Sequence, residues 1–248
     1  MMSKLSRRVL GSVATSALVF GAVACGSDDD KGSGGKATLK DAVATYASGV
    51  YASYSATLAS ATAMDVAIDA FVAAPSDATL TAAKNAWLAA RNDYGSTEAF
   101  RFYGGPIDDE EDGPEGLINA WPLDEAYIDY VEGDAEAGIV NNPDDYPTID
   151  ADVLTEANEK DGETNISTGW HAIEFLLWGQ DLNEDGPGDR PVEDYTTNPN
   201  ADRRGTYLAV ASDLLLEHLQ GLVDAWAPDA TNYRAEFLAL DPNESGRM

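Results

Sequence analysis

The chain has 248 residues, with 44 Asp and Glu against 15 Lys and Arg, and a formal net charge of −29 at pH 7. This acidity repels nucleic acids and anionic lipid surfaces, so both are excluded as binding partners. The acids either attract cations or keep the whole surface solvated, and their even spread favours solvation. A single cysteine excludes an internal disulfide and a cysteine-based zinc site.

The first 36 residues resemble an export signal followed by a tether. Basic residues precede an uncharged run over 9–23 that is short for a membrane span, and small residues lead up to Cys25. We therefore expect a signal peptide over 1–24, lipid attachment to the Cys25 thiol and a flexible tether over 25–36. An ordinary signal peptide is the alternative, and the adjacent arginines resemble a twin-arginine signal. No later segment is expected to span a membrane.

The remaining chain, 37–248, is predicted to be all-α. Apolar residues recur at intervals of three and four, which is typical of amphipathic helices. Long helices are predicted over 39–71, 77–102 and 204–227. Short helices are expected over 123–132 and 151–159, the start of another over 233–240, and long loops over 103–122 and 180–203. Because no useful strand-like alternation occurs, the predicted architecture is a helical bundle.

A further helix contains the most informative pair of residues. Between 169 and 179 the sequence is GWHAIEFLLWG, in which His171 and Glu174 are the only ionisable side chains. A helix that is apolar on nearly every face is normally buried, so both side chains are expected to be buried. Their spacing of three places them on one helical face, where they could share a proton, hold a metal ion or contact another helix. Ser167 or Thr168 is the expected cap.

The stretch Gly169-Trp170-His171-Ala172-Ile173-Glu174 resembles the Gly-x-His-x-x-Glu signature of the imelysin family. Further similarity to its iron-regulated protein A branch covers 97–103, 105–108, 118–130 and 176–191. The resemblance implies an all-helical envelope protein of two bundles, a site between them and a link to bacterial iron acquisition. Family members generally extend beyond the length of this chain, so the second bundle is expected to be incomplete. The family was named for peptidase activity, and a role in iron uptake is the other interpretation.

Three acids in the family-like segments are further candidate ligands near His171: Glu98, Asp124 and Glu125. Iron accepts oxygen and imidazole ligands, so these carboxylates suit an iron site. Each also has a structural alternative, either as a helix cap or as an ion pair with Arg101.

A zinc peptidase is the main alternative function. It needs about three protein ligands, an open position for water and a general base, which here would be Glu174. Phe175 stands where an inverse zinc motif requires a second histidine, so His218, on the apolar stripe of its helix, is the other candidate ligand. His218 could reach the same interior as His171, or it could be a core histidine bonded to a backbone carbonyl. No serine nucleophile motif, phosphate loop or thiol catalyst is present.

A calcium loop is a second cation hypothesis. The segment 181–189 matches the opening of an EF-hand loop, with glycine at the sixth position. Its candidate ligands are Asp181, Asn183, Asp185 and Asp189. The match fails at the twelfth position, which is Val192, so an acidic turn is the alternative.

These observations predict an exported envelope lipoprotein that binds a metal ion or a metal-bearing ligand at His171 and Glu174. Iron is the expected metal, with zinc and calcium as alternatives. The expected setting is iron acquisition, with iron-transport components as possible partners. The alternative is a zinc metallopeptidase acting on proteins outside the cytoplasm.

Overall fold

The computed structural model describes residues 37–246, so the predicted signal peptide, Cys25 and the whole tether lie outside the described residues. Within this range the chain forms ten α-helices and no β-strand. They are α1 (Leu39–Ala73), α2 (Asp77–Gly95), α3 (Glu115–Ile118), α4 (Glu125–Ile128), α5 (Gly138–Asn141), α6 (Ala151–Ala157), α7 (Gly169–Trp178), α8 (Ala201–Trp226), α9 (Tyr233–Ala239) and α10 (Pro242–Ser245). Short 3₁₀ helices occupy Ser96–Phe100 and Val192–Tyr195.

Three long helices form the centre of the fold, because α1 packs along both α2 and α8. The buried positions of α1 recur every three or four residues and so form one stripe. They are Val43, Ala47, Val50, Tyr54, Thr57, Ala61, Met64, Ile68 and Phe71. Burial of each large apolar side chain contributes about 1.5–3 kcal/mol. Helix α7 packs against α2 and α8, which places the predicted functional helix beside this core.

Reciprocal caps fix where α1 and α2 begin. The Thr38 hydroxyl accepts from the backbone N–H of Asp41, whose carboxylate in turn accepts from the backbone N–H of Thr38. Ser76 and Thr79 form the same arrangement at the start of α2. Each box satisfies two N–H groups that a helix start would otherwise leave unpaired, which is worth about 0.5–2 kcal/mol.

Helix α1 is, by length and composition, apolar enough to cross a membrane, so the expectation that no later segment qualifies is wrong. Its hydropathy comes largely from alanine, a strong helix former, rather than from a continuous surface of large apolar side chains. One face of α1 packs against α2 and α8, which is the arrangement of a core helix in a bundle.

Several predicted boundaries differ from the observed ones. The second helix ends at Gly95 and continues as a 3₁₀ helix to Phe100, and the last long helix begins at Ala201 rather than residue 204. The two predicted loops contain α3 and a 3₁₀ helix, and α4 and α6 are shorter than expected. Helices of about one turn, such as α5 and α10, carry no readable apolar period, which is why the sequence did not predict them.

A buried ion-pair network holds the irregular segments around α7. Asp129 accepts from Arg190 Nη1 at 2.8 Å and from Arg204 Nε and Nη2 at 2.6 and 2.9 Å. Arg190 also donates to Asp194 at 2.9 Å and to the carbonyl of Phe175 in α7 at 3.3 Å. These contacts join the segment after α4, the 3₁₀ helix before α8 and α8 itself to the end of α7.

Candidate functional site

Gly169 allows α7 to begin in close contact with the end of α3. Its φ is +79°, and an added Cβ would lie 2.4 Å from the carbonyl oxygen of Ile118. Thr168 occupies the cap position, but its hydroxyl donates to the carbonyl of Leu117 at 3.0 Å. The Ser167 hydroxyl also donates to a backbone carbonyl. Neither predicted cap therefore accepts a hydrogen bond from a backbone N–H in the first turn of α7. Both hydroxyls instead bond the start of α7 to neighbouring segments.

His171 and Glu174 form a hydrogen-bonded pair on one face of α7, as their spacing predicts. His171 Nδ1 lies 3.1 Å from Glu174 Oε2. Their side chains are 17% and 44% exposed, so the expectation that both are buried is wrong. The pair lines a cleft, while the other faces of α7 pack against the core. Because both groups are accessible from solvent, a ligand can reach them.

The cleft beside this pair has a volume of about 350 Å³ and aromatic walls. Trp87 and Trp178 meet edge to face, with ring centroids 5.3 Å apart. Trp121 is 68% exposed, and its ring centroid lies 4.8 Å from that of His171. Leu88, Leu123, Phe175 and Pro187 complete the apolar lining. Apolar walls with a few convergent polar groups are the usual construction of a small-molecule site.

The polar rim of this cleft is acidic. Glu125, Glu174 and Asp181 line it, and no Lys or Arg of the described chain does so. Burial raises the pKa of Glu125, although a hydrogen bond with Gln180 and the charge of Arg190 act in the opposite direction. The rim therefore favours a cation or a hydrogen-bond donor over an anion.

The described residues do not form a complete metal centre. No three His, Cys, Asp or Glu side chains among residues 37–246 come together as a group that could hold an ion. His171 and Glu174 supply two donors, whereas a zinc site needs about three or four protein ligands and calcium takes about six to eight oxygen ligands. His171 and Glu174 can hold a metal ion only if another molecule supplies most of its ligands.

Of the three weaker carboxylate candidates, only Glu125 lines the cleft. Glu98 accepts from Arg101 Nη1 at 3.4 Å and from Asn119 Nδ2 at 3.1 Å. Asp124 caps α4 by accepting from the backbone N–H of Ala126 at 3.1 Å. Glu98 and Asp124 thus have the ion-pair and cap roles that were their structural alternatives.

His218 does not share a cavity with His171. It lines a separate hollow on α8, so the expectation that it could reach the same interior is wrong. Burial lowers the pKa of His218, with the charge of Glu217 acting against this, and its Nε2 has no hydrogen-bond partner. The helical period placed His218 correctly on α8, but it could not show which side of the bundle that face meets.

The segment 181–189 is an acidic turn closed by its own hydrogen bonds. Asp181 accepts from the backbone N–H of Asn183 at 3.1 Å, and the Asn183 side chain donates to the carbonyl of Pro187 at 2.7 Å. Asp185 and Asp189 are exposed. Asp181 also lines the cleft beside His171, a position that the calcium hypothesis did not anticipate.

Sequence reasoning missed the aromatic residues that shape the cleft. Trp178 follows Glu174 by four residues, so helical spacing could have placed it on the same face. Trp121 carries no such signal, because it lies in an irregular segment about fifty residues from His171 in the chain.

Comparison with known proteins identifies the family of this chain. The sequence model of imelysin matches residues 50–247. The chain belongs to the imelysin family. Iron-regulated protein A of Synechococcus elongatus is 29% identical over 198 residues, which cover 79% of this chain and 43% of that protein. Imelysin membership and the helical fold confirm the sequence-based family and fold-class predictions.

A solved structure of another iron-regulated protein A supports the all-α fold. It is the crystal structure of a candidate iron-regulated protein A precursor from Parabacteroides distasonis, with a TM-score of 0.58 and 24% identity. The match covers 87% of this imelysin-family chain and 54% of the other chain. The chain therefore spans about half the length, or less, of these two relatives.

Proposed function

We propose that this imelysin-family chain is a binding protein of an iron-related process, and that the cleft beside α7 holds a metal-bearing small ligand. The observation that carries the proposal is the accessible His171–Glu174 pair in the lining of an aromatic cleft. The names of the two iron-regulated relatives support the link to iron. The proposed place of action is the cell envelope, with a lipid on Cys25 as the membrane anchor.

The number of available donors favours a chelated metal over a bare ion. One imidazole and one carboxylate suit iron, but they leave most of its coordination positions to other ligands. A small organic chelator supplies those positions, and its apolar parts can pack against Trp87, Trp121 and Trp178. The pair and the aromatic walls then recognise different parts of one ligand.

The exposure of Trp121 supports the same conclusion. A tryptophan that is 68% exposed leaves a large apolar surface in water next to His171. Covering such a side chain contributes about 1.5–3 kcal/mol, and aromatic side chains are frequent anchors at binding surfaces. A ligand seated between Trp121 and α7 would cover this surface.

The peptidase alternative has less support from the described residues. With Glu174 as the general base, a zinc peptidase requires two further protein ligands beside His171, and His218 lies in a different cavity. We therefore assign Glu174 a role in ligand binding rather than in catalysis.

Binding can be tested by isothermal titration calorimetry and tryptophan fluorescence on the purified protein. Probes are ferrous iron, zinc, ferric citrate, a ferric trihydroxamate chelate and ferric haem. We expect saturable binding of at least one chelated-iron probe. His171→Ala, Glu174→Gln and Trp121→Ala should each weaken that binding about tenfold or more, equivalent to about 1.4 kcal/mol.

Two matched variants serve as controls. His218→Ala removes the other histidine of the chain, which lines a separate cavity, and Glu184→Gln neutralises an exposed acid outside the cleft lining. Both should bind as the parent does. Equal affinity in the parent, His171→Ala and Glu174→Gln proteins would contradict the proposal and leave the pair as a structural contact.

A further inference from the structure

His171 uses one of its two ring nitrogens within the protein and leaves the other without a partner. Its Nδ1 lies 3.1 Å from Glu174 Oε2. Its Nε2 forms no hydrogen bond with any residue in 37–246, yet it is not sealed from water, whereas the unpartnered Nε2 of His218 is buried. The His171 side chain lines the cleft beside α7 and is 17% exposed. Nε2 is therefore the ring nitrogen that remains available to a ligand.

The bond to Glu174 fixes which nitrogen of His171 carries the proton. An ionised carboxylate can only accept hydrogen bonds, so a neutral imidazole bonded to it must carry its proton on Nδ1. The lone pair is then on Nε2. Trp121 packs beside the same ring, with centroids 4.8 Å apart and planes tilted by 53°, which limits rotation of the ring away from Glu174. A histidine that binds a metal through one nitrogen commonly donates its other N–H to a carboxylate in this way.

Glu174 cannot bind the same metal ion while its bond to His171 is intact. The lone pair of Nε2 points away from Nδ1 across the ring, and a metal ion at Nε2 lies about 2.0–2.1 Å beyond that nitrogen. A carboxylate that accepts from Nδ1 is then on the far side of the imidazole, outside coordination distance. The other acids of the cleft, Glu125 and Asp181, do not gather with His171 into a group of three that could hold an ion. The described chain thus presents one donor atom.

We propose that His171 Nε2 is the one donor that the described residues give to the metal, and that Glu174 is a positioning residue that holds the imidazole through Nδ1. The inference rests on the proposed function and specifies its ligand class, a metal complex that arrives with an exchangeable coordination position. On binding, a water molecule leaves that position and the Nε2 lone pair forms the coordinate bond, with no change in oxidation state. A chelate that already fills every position of its metal cannot form this bond.

The position of the ring proton can be measured without any metal. The chain has 2 histidines, so isotope-labelled histidine gives two ring signals in long-range proton–nitrogen NMR spectra, which His171→Ala assigns. At about pH 8, where an ordinary histidine is neutral, we expect the Nδ1–H form of His171. Glu174→Gln should keep this form because its amide oxygen still accepts, and Glu174→Ala should lose it. Glu125→Ala, the control within the same cleft, should keep it. An Nε2–H form in the parent, or an unchanged form in Glu174→Ala, would overturn the inference.

Two ferric chelates test the need for an exchangeable position. Ferric nitrilotriacetate keeps positions that water or hydroxide occupies, whereas a ferric trihydroxamate leaves none. We expect His171→Ala to weaken binding of the first about tenfold or more and to leave any binding of the second unchanged. Glu174→Ala should weaken the first about 10–100-fold, as removal of an outer partner of a metal ligand does, with Glu174→Gln between it and the parent. Trihydroxamate binding that depends on His171 would overturn the inference and leave the proposed function standing.

Zinc nitrilotriacetate keeps the inference distinguishable from the link to iron. Because zinc is diamagnetic, coordination appears directly as a shift of the His171 Nε2 signal with the Nδ1 proton retained, while the buried Nε2 of His218 should not respond. That shift without binding of any ferric complex would support the inference and contradict the proposed function. Binding of a ferric complex with zinc coordinated at Nδ1, or with no shift at Nε2, would do the reverse. Absence of both responses would overturn both proposals.

Discussion

Asp129 shows at the scale of one residue how this chain keeps a charge in its interior. Its side chain is fully buried, and so are those of Arg190 and Arg204, which donate to it. Burying charges costs several kcal/mol per ion unless geometry and hydrogen bonds compensate. The two arginines provide that compensation, together with a hydrogen bond that Asn141 Nδ2 donates to Asp129 at 3.1 Å. The result is a rigid support for the end of α7 rather than a ligand site.

Asp129→Asn should therefore lower the free energy of unfolding at pH 7 by about 3–5 kcal/mol, because it leaves the buried guanidinium of Arg204 without an anion and that of Arg190 with Asp194 alone. Urea denaturation followed by circular dichroism measures the change. Asp185→Asn, at an exposed loop position, should change stability by less than about 0.5 kcal/mol. Similar losses in the two variants would show that the network contributes nothing specific.

The Asp129 carboxyl also makes the stability of the parent protein depend on pH in acid. Burial acts to raise the pKa of Asp129, but the hydrogen bond from Arg204 and the charges of Arg190 and Arg204 lower it below 3.8 overall. The unfolded chain then binds this proton at a higher pH than the folded chain does. The stabilisation is present above pH 3.8 and is lost as pH falls through the folded-state value. Asp129→Asn should lack this component in denaturation curves measured between pH 5 and about pH 2.

At the scale of elements, the start of α7 depends on a single glycine. Gly169→Ala would place a methyl group 2.4 Å from the carbonyl oxygen of Ile118 and require a φ of +79° that alanine rarely adopts. We expect a loss of about 1–3 kcal/mol from backbone strain, together with weaker ligand binding as His171 shifts relative to Trp121. Thermal unfolding and the chelate titration described above measure both effects.

Gly49 provides the matched control, since it lies at an exposed position of α1 with nothing within 4 Å of an added Cβ. Gly49→Ala should leave binding unchanged and stabilise the protein by up to about 1 kcal/mol, because alanine is the better helix former. If Gly169→Ala were as stable as the parent, α7 would not depend on its close contact with α3.

The elements also show where sequence reasoning succeeded and where it failed. The long helices α1, α2 and α8 were predictable because their buried stripes repeat over many turns. One-turn helices such as α5 have no such repeat. Within the site, His171 and Glu174 were found because two ionisable groups interrupt an apolar helix, and spacing alone fixed their common face.

The rest of the site depends on long-range packing that spacing does not encode. Trp121 reaches His171 from about fifty residues away, and Arg190 and Arg204 reach Asp129 across 61 and 75 residues. The expected burial of Glu174 was wrong for the same reason. Composition shows that α7 is apolar, but only the arrangement of its neighbours leaves one side open as a cleft.

At the scale of the whole molecule, the acidity of the chain has two separable consequences. At the cleft beside α7, Glu125, Glu174 and Asp181 favour a cation or a hydrogen-bond donor over an anion. Over the rest of the surface, a formal charge of −29 produces repulsion that opposes the compact state. The selection of a ligand depends on the few carboxylates that line the cleft, whereas the repulsion comes from all surface carboxylates together. Stability measured without ligand therefore reports the repulsion.

Added monovalent salt should therefore raise the melting temperature. The Debye length falls from about 30 Å at 0.01 M to about 3 Å at 1 M, so repulsion among surface carboxylates is progressively screened. A gain of about 1 kcal/mol corresponds to about 2–4 °C for a domain of this size. Sodium and potassium chloride should act equally, because screening does not depend on which cation carries the charge. A melting temperature insensitive to both salts but raised strongly by micromolar calcium in the parent, and not in Asp181→Asn, would contradict this account and make the turn at 181–189 a calcium site.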